Sequence, residues 1–137
     1  MSHKLNSKTF TNSNASGGSL LTVTGAVTGA GNLVLNNNSA IANGITFSGA
    51  GNISNVGTIT NSGSGTGSSL ISKVIATPNV TGVVENSATS QLTLGGVNTF
   101  TTGLTIKSGT VSGITSAAAF GTGTITLGDT TGAANAT

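Results

Sequence analysis

The sequence predicts an all-β fold: a right-handed single-stranded parallel β-helix of roughly six coils, with little or no helix. Three observations carry that expectation. Short apolar runs alternate with Gly or Asn punctuation from Leu20 to Leu127, a grammar of stacked turns rather than of one closed core. Gly29-Ala-Gly-Asn-Leu33 is echoed by Gly49-Ala-Gly-Asn-Ile53 at an offset of 20 residues, which suits one coil and would stack Asn32 under Asn52. Helix signals are weak, because β-branched residues and Gly dominate and the Ala-rich stretch Ser116–Phe120 is too short to be helical alone.

The elements follow in chain order. Strands are expected at Leu20–Thr24, Asn32–Leu35, Gly44–Phe47, Gly57–Thr60, Ser69–Ile75, Val80–Val84, Gln91–Leu94, Leu104–Ile106, Gly109–Ser112 and Thr124–Leu127. All are rich in Val, Ile, Leu, Phe and Thr, which suit a pleated, half-buried surface. Between them lie corners such as Thr28-Gly-Ala-Gly-Asn32 and Gly63-Ser-Gly-Thr-Gly67, where Gly and Asn accept the positive φ of tight turns. Residues 1–19 read as an N-terminal extension or an irregular first coil, and 20–137 as one solenoid domain whose clearest repeat is 91–127. The chain is expected to be a fragment of a longer protein. Coils of about 20 to 25 residues stacked at ~4.8 Å would make a rod about 30 Å long.

The candidate core is Val23, Leu33, Leu35, Ile45, Phe47, Ile53, Ile59, Ile71, Val84, Leu92, Leu94, Phe100, Leu104, Ile106, Val111, Ile125 and Leu127. An antiparallel sandwich is the competing architecture, since it too uses many short strands. Few edge charges, few aromatic residues and the repetition at coil length disfavour it.

Gly, Ser, Thr and Asn make 80 of the 137 residues, a bias that suggests low complexity. Val, Ile, Leu and Phe still supply 33 residues in regular clusters, enough to build an interior. Charge is confined to Lys4, Lys8, Lys73, Lys107, Glu85 and Asp129, for a net +2. Four scattered lysines without arginine form no phosphate-binding patch, so nucleic acid is not an expected partner. With no cysteine there is neither disulfide nor thiolate metal site. No apolar run approaches the ~18 to 20 residues of a membrane span, and the start has no signal-peptide core.

Catalytic, cofactor-binding and metal-ligating residues are all assigned as none. The two acids stand 44 residues apart, and with His3 they offer no carboxylate pair or activated nucleophile. Glu85 reads as a solvated corner charge, Asp129 as a turn residue after Gly128, and His3 as terminal. Gly121-Thr-Gly123 and Gly63–Gly67 lack the following lysine and helix of a phosphate loop.

Residues Leu92-Thr-Leu94-Gly-Gly-Val-Asn98-Thr-Phe100-Thr-Thr-Gly103-Leu-Thr-Ile106-Lys-Ser-Gly109-Thr-Val111 carry a specific pattern. The run resembles the passenger-associated transport repeat of bacterial autotransporters, close to Leu-Thr-Leu-x-Gly-x-Asn-Thr-Tyr-Thr-Gly-Gly-Thr-Thr-Ile-x-x-Gly-Thr-Leu. Phe100 stands for the usual Tyr and Thr102 for the first Gly of the pair; Ala118–Leu127 is similar to the segment that often follows. The resemblance implies a β-helical passenger exported to the outer surface of a Gram-negative bacterium, with no catalytic residue. A rigid stalk or adhesin scaffold is the expected function, with host or neighbouring-cell glycans or proteins as partners. One alternative is a self-assembling extracellular fibre stacking through open coil ends, with the chain itself as partner. A remote one is an ice-binding solenoid, suggested by Thr22-Val-Thr24, Thr58-Ile-Thr60, Thr99-Phe-Thr101 and Thr124-Ile-Thr126. Those pairs start 36, 41 and 25 residues apart, too unevenly for one array at a single coil length.

Overall fold

A computed structural model describes residues 7–128 and contains no helix among them. Eleven strands run β1 (Lys8–Asn12), β2 (Leu21–Val23), β3 (Leu33–Asn37), β4 (Ile45–Phe47), β5 (Gly57–Asn61), β6 (Ser69–Ile71), β7 (Val80–Asn86), β8 (Leu92–Leu94), β9 (Leu104–Ser108), β10 (Val111–Gly113) and β11 (Ile125–Leu127). They pair in parallel to form two sheets, ordered β1-β3-β5-β7-β9-β11 and β10-β8-β6-β4-β2. Successive strands alternate between the sheets, so a coil contributes to both, and a third side is joined by the single bridges Val27–Ile53 and Ile53–Ile75. The result is a β-solenoid of about five turns.

Parallel pairing from coil to coil makes the sheet hydrogen bonds long in sequence and places like residues above like. In the first sheet Leu33, Ile59, Val83 and Leu104 form one inward stack. In the second, Phe47, Ile71 and Leu94 form another, all fully buried. Phe10 packs edge-on against Phe47, ring centroids 5.4 Å apart and planes at 82°. The coil is not of constant length: the offset between contacting residues is 26 from Asn32 to Thr58, 24 from Asn61 to Glu85 and 20 from Gly95 to Thr115.

That variation corrects the expected asparagine stack. Asn32 lies beneath Thr58, whose amide donates to Asn32 Oδ1 at 3.0 Å, whereas the Asn52 carbonyl accepts from Val27. The local coil is longer than the 20-residue echo, so the two asparagines never meet. Strand β1 lies within the stretch expected as an extension or irregular first coil.

The core departs from expectation at three places. Val84 faces outward because a register shift at Gly57/Thr58 lets both Val80 and Val83 turn inward. Ile125 and Leu127 are 49% and 63% exposed, since β11 is the outermost described strand of its sheet. Glu85, expected in solvent, is fully buried at the inward position of β7.

Candidate functional site

The repeat-motif residues are structural in this fold, each for a separate reason. Leu92 and Leu94 point inward from β8, stacked on Ser69 and Ile71 below. Asn98 is 2% exposed, accepts from the Ile75 amide at 2.8 Å through Oδ1, and donates through Nδ2 to the Ala119 carbonyl. One side chain thereby ties three consecutive coils. Phe100 and Ile106 fill the interior, and the half-buried Val111 pairs with Leu92. Gly103 and Gly109 hold φ of 104° and 82°. A Cβ at Gly103 would stand 2.9 Å from the Thr124 carbonyl oxygen, and one at Gly109 would run into that of Ser87.

A row of buried polar side chains closes the corner after the first sheet. Asn12, Asn37 and Asn61 donate through Nδ2 to the carbonyls of Gly44, Ser68 and Ser90 at 2.6, 2.8 and 2.7 Å. Each acceptor lies just ahead of a strand of the second sheet in the next coil, so the amides brace one sheet to the other. Asn12 and Asn37 also capture the backbone amide two residues on, from Asn14 and Ser39. In the fourth coil Glu85 takes over that turn contact, its Oε1 accepting from the Ser87 amide at 2.7 Å.

Glu85 pairs in register with Asn61, whose Nδ2 lies 3.2 and 2.9 Å from the two carboxyl oxygens. Burial pushes its pKa from 4.5 up to about 8, against the opposing hydrogen bonds from Asn61 and Ser87. The carboxyl is therefore protonated at neutral pH. Ser69 donates to Asn61 Oδ1 at 3.0 Å and Ser87 Oγ to the Gly63 carbonyl, while the buried Ser90 Oγ has no partner.

Lys73 is the second buried ionisable residue, at 2% exposure. Its Nζ donates to the carbonyls of Thr24 and Ala50 at 2.8 Å each and approaches Gly51 O at 3.4 Å, with no carboxylate among these partners. These three carbonyls belong to the two coils beneath, so Lys73 ties three coils as Asn98 does higher in the rod. In sequence Glu85 reads as a solvated corner charge, and nothing there singles Lys73 out as an interior residue. A usable signal did exist for the asparagines, which recur at 12, 37 and 61 near coil spacing.

The outward face of the first sheet carries a row reading Thr9, Val34, Thr60, Val84, Thr105 and Thr126 in register. Thr58-Ile-Thr60 and Thr124-Ile-Thr126 share this face, whereas Thr22 belongs to the second sheet and Thr99-Phe-Thr101 to no strand. A surface cavity of about 240 Å³ is lined by residues including Lys8, Val27, Asn32 and Asn55, and Lys8 is its one titratable side chain.

Among the described residues no three His, Cys, Asp or Glu side chains come together as a metal site would need, and no helix is long and apolar enough to cross a membrane. His3, Lys4 and Asp129 lie outside the described residues. What the fold defines is a parallel β-solenoid. Comparison with protein-family models, curated proteins and solved structures gives no match.

Proposed function

We propose that this chain is a non-catalytic structural segment of a secreted, surface-displayed, autotransporter-like passenger, acting as a rigid stalk or adhesin scaffold. The observation that carries the reading is Asn98 of the Leu92–Val111 repeat. Its amide joins three coils, and the same repeat's Gly103 and Gly109 occupy corners that exclude a Cβ. Buried Glu85 and Lys73 are engaged internally, which is consistent with a role in holding shape rather than in chemistry. Proteinase treatment of intact cells expressing the parent protein tests the proposal. Loss of the solenoid epitope with cytoplasmic markers intact is expected; a protected, cytoplasmic epitope would overturn it.

The Thr/Val row on the first sheet favours a second reading, an ice-binding face. It is six strands wide and the row itself is uncharged, although Lys107 stands beside Thr105 on the same face and the Thr-x-Thr pairs alone are not in one array. Ice-recrystallisation inhibition that Thr60→Lys abolishes would support it, and wild-type protein inert towards ice would remove it. Light scattering on concentrated protein covers the fibre alternative, which requires filaments.

A further inference from the structure

The first sheet's second inward stack runs Phe10, Leu35, Asn61, Glu85, Ile106 and Leu127. Its two middle rungs are polar and fully buried, with apolar rungs on either side. The register between β7 and β9 also shifts at Glu85/Asn86, so the ladder is interrupted at the same level. The adjoining Ser90 hydroxyl is buried without a partner. A buried polar cluster with one unmet hydroxyl, at an interrupted ladder inside a repeat fold, is a weak interface between neighbours whose couplings otherwise add.

We infer that the Glu85 corner is a proton-operated joint, closed while the carboxyl is protonated and opened over residues 85–90 when it ionises. No charged side chain among the described residues compensates an ionised carboxylate there. Around it β5 presents Asn61, β6 presents Ser69, and the corner presents Ser87 and Ser90. β8 contributes the Leu92 amide and β9 stacks Ile106 against it. Lys107, the one charged residue of β9, alternates to the opposite side from Ile106. An ionised Glu85 can gain solvation only by leaving, and Ser87 and Ser90 leave with it because the Ser90 amide hangs on Ser87 Oγ at 2.8 Å.

The sign follows from the raised carboxyl. The opened corner ionises near 4.5 and the closed one near 8, so closure is fully supported below the lower value and lost as pH rises through the higher. Between those limits one proton separates the states, and the opening constant rises about tenfold per pH unit. This inference is independent of where the protein is displayed.

Amide hydrogen exchange across pH 5 to 8 reads the joint directly. Chemical exchange alone rises about tenfold per unit, and opening multiplies it when reclosing is fast. The Ser87 and Ser90 amides are expected to gain about a hundredfold per unit in the wild type and about tenfold in Glu85→Gln. The Ser39 amide, at the equivalent acid-free corner, gains about tenfold in both. A tenfold slope at Ser87 and Ser90 in the wild type would overturn the joint, as would a hundredfold slope that includes Ser39, which would mean the whole rod melts together. Glu85 is the only glutamate in the chain. Its carboxyl carbon resonance therefore titrates without ambiguity and serves even if Glu85→Gln fails to fold: a midpoint raised well above 4.5 but below about 8 is expected, because opening draws off the ionised form, and one near 4.5 would refute the inference.

Discussion

An ammonium group removed from water must regain its hydrogen bonds, and Lys73 does so on backbone carbonyls of two other coils instead of a carboxylate. No second charge is buried with it, and the contacts cannot be broken by titrating an acid. Removing the ammonium deprives the carbonyl oxygens of Thr24 and Ala50 of a charged donor. Lys73→Met, which keeps the stem, is therefore expected to destabilise the rod by about 2–3 kcal/mol, read as a lower urea midpoint. An unchanged midpoint would mean that water reaches those oxygens. Asn98→Leu is the parallel case, stranding the Ile75 amide and the Ala119 carbonyl together, with an expected loss of about 2–4 kcal/mol by the same measurement.

At the scale of strands and corners, glycines that look alike in sequence separate by geometry. Gly109 has a positive φ and faces the Ser87 carbonyl, so Gly109→Ala combines backbone strain with a clash against a rigid group. Gly82 has ordinary φ, and its nearest prospective neighbour is Thr58 Cγ2 at 4.0 Å. The prediction is a loss above about 2 kcal/mol for Gly109→Ala and a change within about 1 kcal/mol of zero for Gly82→Ala, both from denaturant curves. Equal effects would show that the corner relaxes freely.

Strands such as Leu92–Leu94 were legible in the sequence because apolar and Thr positions alternate between punctuating glycines. β1 was not, since Lys8-Thr-Phe-Thr-Asn12 offers one apolar residue, and its strand state depends on pairing with β3. Residue types spoke plainly for the motif asparagine and glycines but misled for Glu85, because a charge is assigned to solvent unless a buried partner can be foreseen. Asn61 is that partner, a whole coil away, and register between coils of unequal length cannot be counted from the chain alone.

For the whole molecule, the decisive property is that each coil pairs its strands only with its neighbours, while Lys73 reaches past one coil to the Thr24 carbonyl. In a globular core one large cavity lowers the stability of everything; in a one-dimensional stack the loss stays near its origin until neighbouring interfaces fail. Phe47 is fully buried in the second coil, stacked on Ile71 and touched by Phe10. Phe47→Ala removes a large interior side chain, worth about 3–5 kcal/mol where it packs. Hydrogen exchange should then accelerate through β2, β4 and β6. Amides of β9, tied through Leu104 and Ile106 to their own neighbours, should keep nearly wild-type protection. Uniform loss of protection from β2 to β11 would instead mean that coupling between coils exceeds the cost of the cavity. The rod would then unfold as one unit, and the Glu85 corner could not open by itself.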